Sequence, residues 1–271
     1  MKIPEIDINS LSEYINGFKT IEYAQFSIQE LMDKLTRIFH GFAIASISFS
    51  FPIAIYRSVK WSTRPNELKN LSYPQPDKIT SFGRINDKNE SYFYGSFNWE
   101  PTLYELNLQE NDTVAVSMWQ TKSNVLICPI GYTEDNFKYL NALRNVPSEV
   151  RPYNILPVLM RETNVVVDKL LSQLFSLKVN CEEEYKISIA IAKFLLSNQD
   201  FEGILYPTIA MNALSDNIAL RTIVVDEKLK FNEVRFMKII KKDDLFFKTE
   251  ILSIANKADD DGFLLWQENN I

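Results

Sequence analysis

Glycine is scarce in this chain: seven occur in 271 residues, at 17, 41, 83, 95, 131, 203 and 262, and no two stand at GxG spacing. Rossmann fingerprints and Walker A loops both need clustered glycines to bring backbone amides against phosphates, so both devices are excluded. Histidine is scarcer still. The single His40 lies in "TRIFHGF" at the expected end of a helix, beside the negative end of the helix dipole, so a Ser-His-Asp triad or a multi-histidine metal site has no material. Cys128 and Cys181 are far apart and have no partners at metal-ligand spacing, which predicts two reduced, buried thiols in a cytosolic protein and no metal centre. Basic excess is absent as well: the net charge is -6 and the pI about 5.1, leaving no field to hold a nucleic-acid backbone. The longest apolar run, "GFAIASISFSFPIAIY" at 41–56, is short, serine-rich and interrupted by Pro52, and "MKIPEIDINS" has no charged start leading into an apolar run. The expectation is a soluble, cytoplasmic protein with no membrane partner.

What is present is the balance of a folded protein with a sizeable core, 46% hydrophobic and 24% charged. Residues 10–40 read as helical, with Ser27 and Glu30 spaced as a capping box and Ile28, Leu31, Leu35 and Ile38 at helical intervals. This predicts an N-terminal helical extension over 1–45 that packs on the body or on a partner. Residues 43–60 turn strand-like around Pro52, and the proline-punctuated "STRPNELKNLSYPQPDK" reads as a loop and a candidate binding element. Residues 80–85 and 91–96 read as short strands flanking the turn "NDKNE", and 100–106 as the first turns of a helix with Pro101 near its start. "TVAVSMWQTKSNVLICPI" alternates like two strands, "NVVVDKLLSQLFSL" and "EEEYKISIAIAKFLLSN" are helical, 200–226 is strand, irregular loop and strand, and "EVRFMKIIKK" is the last strand. The class is α+β, with strands and helices not in strict alternation.

With clustered glycine, histidine and metal ligands missing, chemistry falls to carboxylates, arginines, tyrosines and hydroxyls. Arg57 ends an apolar strand in "IYRSV", where a surface salt bridge is the plainer role. Arg84 follows Gly83; taken singly, Tyr94 is a half-buried strand aromatic and Glu105 a solvated helix residue.

Their order carries more than any one of them. "GRIN", "FY" and "EPTLYE" within 83–105, the opening "IYRSV", and "GILYPTIAMNALSDNIAL" at 203–220 together resemble the RES domain family, whose members include toxins of RES–Xre toxin–antitoxin pairs. The resemblance runs from about residue 53 to at least 220. It implies a compact core similar to ADP-ribosyltransferases over 46–271, NAD as substrate rather than cofactor, and an antitoxin-like protein or a second copy of the chain as partner. By position it assigns Arg84, Tyr94 and Glu105 to the catalytic pocket, and Arg57, Tyr206, Thr208 and Asn217 to substrate binding. Thr208 stands where the family has serine, Asn89 where the turn has glycine, and Ile85 where an aromatic is common. The function implied is cleavage of the nicotinamide–ribose bond by a glycohydrolase or phosphorylase, such as a bacterial toxin that depletes NAD. The alternatives are a mono-ADP-ribosyltransferase acting on a macromolecule and a non-catalytic RES-like interaction protein.

Overall fold

The computed structural model describes residues 7–40, 42–44, 46–147, 150, 158–243 and 246–268. Among them lie seven α-helices and ten β-strands, a mixed α+β protein. The chain divides into two compact units, each drawn from separated segments: unit 1 is Met1–Ile47, Pro76–Glu90 and Leu126–Ala213, and unit 2 is Ser48–Gln75, Ser91–Val125 and Leu214–Ile271. The short strand β1 (Ile47–Phe49) falls where the chain passes from the first to the second.

Unit 1 is mainly helical, built on α1 (Ile8–Phe18), α2 (Ile28–Phe39), α4 (Glu134–Tyr139), α5 (Val158–Phe175) and α6 (Lys186–Leu195). The predicted capping box forms: Ser27 Oγ accepts from the Glu30 amide at 3.2 Å, and the Glu30 carboxylate accepts from the Ser27 amide at 2.8 Å. The apolar stripe of α2 is fully buried at Leu31, Leu35 and Ile38, and α2 packs on α6, where Phe39 stacks on Phe194 at 3.8 Å. Burial of each such aliphatic side chain contributes about 1.5–3 kcal/mol. The helical arm therefore spends its apolar face inside unit 1. Strands β5 (Val125–Pro129) and β6 (Gly203–Pro207) pair in parallel, Cys128 opposite Ile204. Cys128 is buried as expected, but Cys181 is exposed because it precedes a surface 3-10 turn, Glu182–Tyr185.

Unit 2 is a run of antiparallel strands in the order β7 (Asp216–Arg221), β3 (Tyr92–Ser96), β2 (Ala54–Lys60), β4 (Thr113–Thr121), β8 (Leu229–Lys242), β9 (Phe247–Ala258) and β10 (Leu264–Glu268). On one face, Val114, Val116, Met237, Ile239 and Phe247 form a core with Leu103 and Leu108 from and after α3 (Trp99–Tyr104).

Three further expectations are corrected. Residues 80–85 form no strand: this stretch is irregular, its bonds being local ones such as Gly83 N–H to the Asn86 carbonyl at 3.1 Å. Thr222–Asp226, read as the end of a strand, lies in the helix α7 (Thr222–Lys228), because its apolar Val224 and Val225 bury together while Ile223 stays 53% exposed. "EVRFMKIIKK" is not the last strand; β9 and β10 follow, and their alternation is interrupted, in β9 by a bulge opposite Phe236/Met237 and in β10 by a register shift between Leu264 and Trp266. The proline-punctuated loop has a structural task of its own. Asn66 accepts from the Leu264 amide at 2.8 Å and Pro65 accepts from the Trp266 indole at 2.8 Å, so the loop covers the outer edge of β10.

Candidate functional site

Glu105 is presented by local anchoring. Pro101, Thr102 and Leu103 are buried, and the Thr102 hydroxyl meets that of Ser58 on β2 in a short hydrogen bond, so α3 is tied to the strands in its middle. The helix ends after one and a half turns and Glu105 is its C-cap rather than a residue within it. From there its carboxylate accepts from Asn217 Nδ2 at 2.9 Å. Asn217 is 5% exposed and Glu105 is exposed, so a buried amide holds one oxygen of an accessible carboxylate. Asn217 lies opposite Ser96 on β3, and Tyr94 lies opposite Ala219, two residues along each strand. Alternation with period two therefore puts Tyr94, Ser96 and Asn217 on one face, the face that Glu105 reaches.

Arg57 leaves on the other face. Its neighbour Tyr56 is opposite Ser96 and Ser58 reaches α3, so Arg57 points away from both. There the guanidinium lies over the Phe93 ring at 5.5 Å and Nη1 donates to the Tyr94 carbonyl at 2.9 Å. No surface salt bridge forms: among the described residues no carboxylate pairs with Arg57, and Nε is buried without a hydrogen-bond partner. Burial lowers its pKa to about 10, against a smaller opposing effect of Tyr94. Gly95 makes this close approach of β2 and β3 feasible, since a Cβ there would stand 2.7 Å from Ile55 Cγ2 and 2.8 Å from the Tyr56 carbonyl oxygen.

Arg84, Tyr206 and Thr208 belong to unit 1. Arg84 Nη1 donates to the Phe175 carbonyl in a short bond, and Nη1 and Nη2 both reach the Leu177 carbonyl at 3.3 Å, so the arginine closes the C-terminus of α5. Its guanidinium also lies over the Tyr185 ring at 5.3 Å. Tyr206, on β6, packs its ring edge-on against Phe175 at 5.4 Å, which links it to Arg84 through one residue. Thr208 is fully buried one residue beyond β6, where its carbonyl accepts from the Ala213 amide at 2.7 Å. Asn89, which stands where the RES pattern that this segment resembles has glycine, adopts φ +63°, the left-handed conformation that asparagine tolerates.

Glu105 and Asn217 are thus brought into contact, Tyr94 shares their face, and Arg57 does not. No protein-family model matches the chain, and no curated protein does. The likeness to the RES family rests on the motifs quoted above. Among the described residues no three His, Cys, Asp or Glu side chains are grouped to hold a metal, and no helix is long and apolar enough to cross a membrane. Phe175 and Lys193, which hold Arg84 and its loop, have no signal in the sequence because they act on partners 91 and 103 residues away.

Proposed function

We propose that this protein consumes NAD by cleaving the nicotinamide–ribose bond, passing ADP-ribose to water or phosphate. The observation that carries the reading is the Glu105–Asn217 pair, an exposed carboxylate oriented by a buried amide at 2.9 Å. As the bond from the ribose carbon to the nicotinamide nitrogen breaks, the electron pair leaves with nicotinamide and positive charge develops on the ribose. A fixed carboxylate stabilises that charge more in the transition state than in the ground state. Asn217 holds one oxygen of Glu105 and leaves the other to face the substrate. Tyr94, on the same face, offers a ring to nicotinamide or a hydroxyl to the ribose. The family resemblance assigns Arg84 to the pyrophosphate, because guanidinium binds phosphate oxygens in paired, permanently charged contacts, whereas Arg57, on the face away from Glu105, holds the Tyr94 carbonyl instead of the substrate. A toxin acting in the cytoplasm, with an antitoxin-like partner, fits this chemistry.

A second reading is a non-catalytic RES-like interaction protein. One observation favours it: both arginines already donate to backbone carbonyls, of Tyr94 for Arg57 and of Phe175 and Leu177 for Arg84. Incubation with NAD, with and without phosphate, separates the readings. Nicotinamide release that disappears in Glu105→Gln supports the enzyme; release undiminished in that variant sinks the assignment of Glu105. Label that stays on a macromolecule identifies a transferase instead.

A further inference from the structure

The loop that presents Arg84 has no strand ladder of its own. Residues 81–91 are irregular, tied by backbone bonds such as Asn89 N–H to the Ile79 carbonyl at 2.9 Å and Glu90 N–H to the Asp87 carbonyl at 3.2 Å. The turn carries two carboxylates, Asp87 and Glu90, three residues apart, which repel each other unless a cation intervenes. Helix α6 supplies it. Lys193 Nζ donates to Glu90 Oε1 at 2.5 Å and to Asp87 Oδ2 at 3.3 Å, with its side chain only 25% exposed. Burial opposes the ammonium charge, but the bonds to Glu90 and Asp87 outweigh it and hold the lysine above its usual value. A second clamp closes the loop's first half: Glu182 accepts from the Phe82 amide at 3.3 Å and pairs with Lys88 at 3.0 Å.

Resting on the NAD-cleaving reading, we propose that Lys193 is a positioning residue for Arg84, joining both carboxylates of the turn to α6 and so fixing where the guanidinium meets the anionic part of the substrate. A lone exposed ion pair would do little. One partly buried ammonium shared by two carboxylates on an otherwise irregular loop fixes its register.

Hydrogen exchange over 82–90 and steady-state kinetics with NAD are measured on the full chain for the parent, Lys193→Met and Lys193→Arg. Lys193→Met should speed exchange over this loop by roughly tenfold or more. It should also raise KM by roughly tenfold, because a small misplacement of a binding group is expensive, with kcat changed by less than about twofold. Lys193→Arg should restore both. Unchanged exchange in Lys193→Met overturns the proposal, and so does faster exchange with an unchanged KM in an active parent. An inert parent overturns the proposed function instead, and exchange with its rescue by arginine still decides whether Lys193 holds the Arg84 loop.

Discussion

Asp168 makes unit 1 sensitive to pH in a direction opposite to most carboxylates. It sits on α5, at the edge of a cavity of about 20 Å³ lined by Ile44, Cys128, Ile130, Asn164, Leu171 and Leu195 among others. Among the described residues nothing donates a hydrogen bond or pairs with it: Asn164, one turn earlier, spends its amide on Ala43, donating to the carbonyl at 2.6 Å and accepting from the N–H at 3.1 Å. Burial raises the Asp168 carboxyl from 3.8 to about 7, and the neighbouring Cys128 thiol is pushed up to about 12 by burial first and by Asp168 second. Below about pH 3.8 folded and unfolded chains both hold the proton. Between there and pH 7 the unfolded chain releases it and the folded chain does not, so stability falls as pH rises and is lost by about pH 7. At 1.36 kcal/mol per pH unit the loss is about 2–4 kcal/mol, the lower end allowing for the solvent that reaches a half-buried side chain. The assay is urea or thermal unfolding of the parent and Asp168→Asn at pH 4, 5.5, 7 and 8. Other carboxylates, such as Asp112 held low by Lys60, titrate alike in both proteins and cancel in the difference. The advantage of Asp168→Asn over the parent should grow by about 2–4 kcal/mol from pH 4 to pH 8, on the order of 5–10 °C in Tm. Parallel curves over the whole range would refute the reasoning.

Asn217→Ala removes the donor that orients Glu105 and should lower nicotinamide release by about 10–100-fold without unfolding the protein, the usual loss for a hydrogen bond to a charged group; circular dichroism checks the fold and chromatography the rate. Gly95→Ala should destabilise by about 1–3 kcal/mol in denaturant unfolding, because the new Cβ meets the Tyr56 carbonyl oxygen and not only the tip of a side chain. Ser27→Ala removes one half of the capping box and should lower stability by about 1 kcal/mol, seen as a shift in the urea midpoint. Asn89→Val should cost about 1–2 kcal/mol where Asn89→Gly is neutral, since φ +63° is strained for a branched side chain; the same unfolding assay compares them.

The elements most legible in the sequence were those whose signal is local. The capping box at Ser27, the stripe of α2, the break at Pro52 and the left-handed Asn89 each depend on neighbours within four residues, and each stands where short-range chemistry puts it. Elements that lean on distant partners were read less well. Residues 80–85 look like a strand but have no ladder, Thr222–Asp226 looks like a strand but coils, and β9 and β10 were lost among bulges. The residue types at the candidate site were readable by their order alone, from Arg57 through Glu105 to Asn217. Which of them meet was not. Glu105 reaches Asn217 because β3 and β7 pair with Ser96 opposite Asn217 and α3 is anchored at Thr102, while Arg57 departs on the opposite face because a strand alternates every residue. Sequence order determined the inventory of groups and their local conformations; strand register, a long-range property that no local pattern encodes, decided which of those groups share a face.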